Sequence, residues 1–98
     1  MSGGHYQYKQ YEINYIADEI EQVIHSNESN ELNECGETKG HHYSPETIAE
    51  FKKGLAILKQ AFVYAHRMDW LLSCDDGEDS FHERLIYDLA KLKENNYQ

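Results

Sequence analysis

No lysine or arginine occurs between Gln10 and Thr38, although that stretch carries eight acidic residues: Glu12, Asp18, Glu19, Glu21, Glu28, Glu31, Glu34 and Glu37. The formal charge of −9, from 18 acids against 9 bases, is therefore concentrated rather than spread. A field of that kind steers cationic partners. The clustered Lys and Arg with which nucleic-acid binders neutralise phosphates are lacking, so direct nucleic-acid binding is not expected. Long apolar runs are lacking too. The longest is Ala61-Phe-Val-Tyr-Ala65, far short of the roughly 20 residues that cross a bilayer. The opening Met1-Ser-Gly-Gly-His-Tyr has neither the basic nor the apolar region of a secretory signal, which points to a cytoplasmic protein. Only two cysteines are present, Cys35 and Cys74, outside any C-x-x-C, and they read as reduced thiols rather than a disulfide framework.

Recognisable catalytic and metal motifs are missing as well. His5, Cys35, His41, His42, Cys74 and His82 are ligand types, but Cys35-x5-His41-His42 does not have the paired spacing of structural zinc sites. Glu83 follows Gly77 by six residues, as in an EF-hand loop. Leu72, Cys74 and Asp76 would then take the three preceding ligand positions, and the first two cannot supply carboxylate or amide oxygens. His66 and Asp69 lie one helical turn apart and could pair a base with an orienting carboxylate, but the spacing brings no nucleophile to them. The expectation is a non-enzymatic protein without cofactor or metal.

What is present is helical periodicity. Ile13, Ile16, Ile20, Val23 and Ile24 predict a first helix over about 11–26, with Asp18, Glu21 and Glu28 on another face. Residues 27–43 turn to Asn, Ser, Glu and Gly, with only Leu32 strongly apolar, and predict a flexible acidic loop. Ser44-Pro45-Glu46 is a helix start: a capping hydroxyl, a proline for the first turn and a carboxylate at the positive end of the dipole. The helix that follows, about 45–73, carries two apolar stripes. One runs through Ile48, Phe51, Leu55, Leu58, Phe62, Ala65, Asp69 and Leu72; the other through Ile57, Ala61, Tyr64, Met68 and Leu71. Unbroken, it would be about 43 Å long, against a radius of gyration near 13 Å for a globule of this size. Either Gly54 kinks it, or a second copy of the chain covers part of it. Ser80 and Glu83 form a capping box for a third helix, about 80–94, before a polar tail. His5-Tyr-Gln-Tyr-Lys9 alternates like a short strand that could pair with Gly40-His-His-Tyr43.

The predicted architecture is thus all-α: a single 98-residue domain of three helices around one long central helix, built as a homodimer, with a short N-terminal β element as an option. Its predicted work is to bind and inhibit or modulate a basic partner, such as a nucleic-acid-handling enzyme, by resembling nucleic acid in charge. Small immunity proteins and phage inhibitors share that composition by analogy only. The partner-binding residues would be Asp18, Glu19, Glu21 and Glu28, the turn acids Asp75, Asp76, Glu78 and Asp79, and Tyr11 and Tyr15 as aromatic anchors. Phe62, Tyr64, His66, Asp69 and Trp70 are candidates for a dimer interface or pocket. An oligomeric small-ligand sensor using that pocket is the alternative. A metal-binding protein using His41, His42 and a cysteine is the second.

Overall fold

Three helices carry the regular structure of residues 4–95, which the computed structural model describes: α1 (Gln10–His25), α2 (Pro45–Leu72) and α3 (Glu78–Asn95). The polar tail lies outside the described residues beyond α3. The class is all-α. Among the described residues the only β-type pairing is an isolated antiparallel bridge between Leu32 and Thr38.

The start of α2 follows from Ser44, whose extended backbone brings Oγ to accept the N–H of Thr47 at 3.3 Å, with Pro45 in the first turn. The helix passes through Gly54 without interruption. It stops where Ser73 and Cys74 close back on the carbonyls of Asp69 and Leu71, Cys74 taking a φ of 64°. α3 begins at Glu78, two residues before Ser80. The N–H of Phe81 donates to the carbonyl of Gly77, and Glu78 and Asp79 stand in the first turn, where carboxylates suit the dipole.

The N-terminal β element is corrected by the structure. Residues 5–9 form successive turns, with Gln7 and Tyr8 at φ of 55° and 62°. The reason is a buried acceptor on α2: Asp69 takes the N–H of Tyr6, which a strand would have used for a ladder. On α1, the inward arc is Gln10, Ile13, Ala17, Ile20 and Ile24, while Ile16 stays 50 % exposed. Ala17, at 1 % exposure, is the most buried apolar residue, since its small side chain allows the closest approach of another helix.

Both flanking helices run antiparallel to α2. α1 starts beside Asp69 and ends where Asn27 meets Tyr43, and α3 returns along α2 through the Arg67–Asp88 contact. Among the described residues α1 and α3 do not touch one another. The result is elongated, 51 × 28 × 15 Å, with a radius of gyration of 17.0 Å where a compact chain of this length would have about 13 Å. The interior is correspondingly thin. Among the described residues the buried side chains besides Ala17 are polar: Gln10, Asn27 and, completely covered, Asp69.

Candidate functional site

At the junction of the N-terminal turn with α2, Asp69 is completely buried, on an arc otherwise occupied by apolar residues. A buried carboxylate must be compensated. Oδ1 accepts the N–H of Tyr6 at 2.9 Å and Oδ2 accepts Nε2 of Gln10 at 3.1 Å, while the N–H of His5 donates to Ser73 Oγ at 2.9 Å. Asp69 is thereby engaged in holding the N-terminal segment, and its carboxylate is turned to that segment rather than to His66.

An aromatic row continues from this junction. Tyr8 lies 6.3 Å from Tyr11 between ring centroids, Tyr11 sits 5.5 Å from Phe62 and 5.8 Å from His66, and His66 stacks on Phe62 and approaches Trp70 at 5.7 Å. Arg67 lies 5.5 Å over Trp70 and reaches across to Asp88 of α3, Nε to Oδ2, at 2.7 Å. Burial holds the His66 imidazole below its ordinary pKa, and the Arg67 guanidinium adds to the effect; Asp69 and Asp88 oppose it. His66 Nδ1 is buried without a hydrogen-bond partner among the described residues.

Of the residues considered for an interface or pocket, Phe62, His66 and Asp69 face α1 and its preceding turn. Tyr64 instead lines a concavity of about 390 Å³ between α2 and α3, with Gln60, Ile86, Leu89, Ala90 and Lys93. Trp70 lines another beside Arg67 and Tyr87.

The acidic residues divide between the two ends of the molecule and the face between them. On α1, Glu12, Tyr15, Ile16 and Glu19 share the outward face with Asp18 at its edge. Tyr15 is 67 % exposed, whereas Tyr11 is packed inward. Among the described residues, no cation pairs with Glu12, Asp18 or Glu19; Glu21 lies 3.9 Å from His25. Glu28 stands at the far end, 3.9 Å from His42. There Asn27 is buried and clamps Tyr43, accepting its N–H at 2.9 Å and donating to its carbonyl at 3.1 Å. Asp75, Asp76, Glu78 and Asp79 lie at the other end of α2, whose 28 residues separate the two groups by about 42 Å. Asp76 pairs with Arg84 at 3.3 Å. The structure thus brings Asp18, Glu19 and Tyr15 together and leaves the turn acids apart from Glu28.

The metal-ligand types do not assemble either. Among the described residues no three His, Cys, Asp or Glu side chains form a cluster suited to a metal ion. His41 stacks on Tyr43, and His42 Nε2 lies 3.1 Å from the carbonyl of Ser29. Both cysteines are free and exposed. No helix of the described residues is long and apolar enough to cross a membrane. No protein family, curated protein or solved structure matches this chain.

Sequence periodicity did not single out Gln10 and Asn27, the two buried amides that organise the chain ends. Their signal was faint: each stands at a helix boundary, where a polar residue is ordinary. Asp69 stands out by its position in an apolar stripe, but its partners lie 59 and 63 residues away.

Proposed function

We propose that this protein acts by binding rather than catalysis, as a cytoplasmic homodimer built around α2, and that it inhibits or modulates a basic protein partner. The observation that carries this reading is the outward face of α1. It offers an exposed Tyr15 and Ile16 between Glu12 and Glu19, with no Lys or Arg from Gln10 to Thr38. Carboxylates of this kind accelerate encounter with a cationic surface, and a rigid aromatic supplies desolvated contact area once docked. A protein that handles nucleic acid presents such a surface, since it must neutralise phosphates. The turn acids, beyond the end of α2 where α1 begins, add to the long-range field more than to the contact.

The test is affinity capture from the cytosol of the source cell, eluted in rising salt. A basic protein released by salt is the expected result, with capture reduced at least tenfold by the combined Glu12→Gln, Asp18→Asn and Glu19→Gln variant. Unchanged capture by that variant would overturn the reading.

A further inference from the structure

A concavity of about 420 Å³ opens beside the Asp69 junction, where the N-terminal turn meets α1 and α2. Tyr6, Ile13 and Ala65 supply its apolar lining, and Lys9, Gln10 and His5 its main polar groups. No carboxylate lines it among the described residues, although the chain as a whole is strongly acidic.

Gln10 carries the informative feature. It is 3 % exposed, and its Nε2 donates to Oδ2 of Asp69 at 3.1 Å. An ionised carboxylate can only accept, so the amide cannot turn over and Oε1 is directed away from Asp69. That Oε1 is buried without a hydrogen-bond partner among the described residues. Native proteins seldom leave a buried acceptor in that state. The turn that frames the concavity is also strained, with Gln7 and Tyr8 at φ of 55° and 62°, and backbone of that kind clusters at ligand clamps.

We propose that this concavity binds a free aliphatic α-amino acid, a function separate from the partner binding above. The ammonium group of the ligand donates to Oε1 of Gln10, and the buried charge of Asp69 behind the amide favours a cation there. The carboxylate pairs with Lys9, the one lining residue with a permanent charge. Lys9 is exposed, forms no ion pair among the described residues, and stands at the start of α1, whose first turn has no side-chain cap and carries the positive end of the dipole. The aliphatic side chain lies on Ile13 and Ala65. Neighbouring acids do not reverse this balance: Asp75 and Asp76 follow Ser73 beyond His5, Asp76 is held by Arg84 at 3.3 Å, and Glu12 is on the outward face of α1. A simple anion would face Asp69 and leave Oε1 without a donor. A simple cation would face Lys9 and the dipole.

Isothermal titration and amide NMR shifts on the full chain, with L-leucine as the probe, test this. Leucine is expected to bind with a dissociation constant below about 1 mM and to shift the amides of residues 5–13 and of Ala65. 4-Methylpentanoate, which lacks the ammonium group, and 3-methylbutylamine, which lacks the carboxylate, should each bind at least about tenfold more weakly. Lys9→Gln, at an exposed side chain, should weaken leucine binding at least about tenfold and leave the melting temperature of the free protein unchanged. Absence of leucine binding would overturn the proposal. So would 4-methylpentanoate binding as tightly as leucine, a Lys9→Gln variant with unchanged affinity, or shifts confined to another part of the chain.

Discussion

The backbone N–H of Tyr6 donates to Oδ1 of Asp69 at 2.9 Å across 63 residues of chain, and with Gln10 it turns a buried carboxylate into the anchor of the N-terminal segment. Asp69→Ala removes the acceptor and strands both donors. The expected loss is roughly 2–3 kcal/mol, since hydrogen bonds to a charged acceptor lie at the strong end of the range. Urea unfolding measures it, and amide exchange at Tyr6 should accelerate more than exchange in α3.

His66 sets a pH dependence. Its pKa in the folded chain is lowered from the ordinary 6.5, so the unfolded state binds more protons as pH falls through 6.5. Stability from this site is therefore complete above pH 6.5 and declines as pH drops toward the lower folded value. His66→Phe keeps a ring against Phe62 and Tyr11 and should flatten that part of the stability profile, read by thermal melts between pH 5 and 8. An unchanged slope would assign the dependence elsewhere.

Two glycines should respond in opposite directions. A Cβ on Gly40 would stand 2.5 Å from the carbonyl oxygen of Ser26 and 2.6 Å from those of Asn27 and Ser29. Gly40→Ala must push the loop off the end of α1, at about 1–3 kcal/mol as for other overpacked sites. Gly54 has nothing within 4 Å of an added Cβ and lies inside α2. Gly54→Ala should stabilise by about 0.5–1 kcal/mol. Denaturation midpoints of the two variants check both signs.

Arg67 and Asp88 form the ion pair that ties α3 to α2, at 2.7 Å and with both side chains largely covered. A double-mutant cycle of Arg67→Ala and Asp88→Ala is expected to give a coupling of about 1 kcal/mol, the upper end for pairs that keep some solvent contact. Coupling should shrink only modestly in added salt, because a partly buried pair is screened less than an exposed one.

How much of this was legible in the chain varies with range. The start of α2 was readable because Ser44, Pro45 and Glu46 act on backbone groups within one turn of themselves. The third helix was readable as an element, though its first residue was not: Glu78 and Asp79 suit a first turn as well as Ser80 suits a cap. The turn at residues 5–9 was hidden. An alternating His-Tyr-Gln-Tyr-Lys pattern favours a strand until a carboxylate from α2 claims the Tyr6 N–H. On the acidic face, Tyr11 and Tyr15 looked equivalent at one-turn spacing, yet one packs on Phe62 and the other points to solvent.

The helices, their order and the one-sided charge follow from the chain alone, because propensity, capping and net charge act locally or sum without reference to geometry. Which faces meet is set by packing. Ala17 rather than Ile16 turned inward, since close helix approach rewards a small residue. Asp69 found its partners in the N-terminal turn, and a stripe of α2 was left uncovered. Those outcomes depend on contacts between residues tens of positions apart, where the burial of one group is settled by what another leaves free.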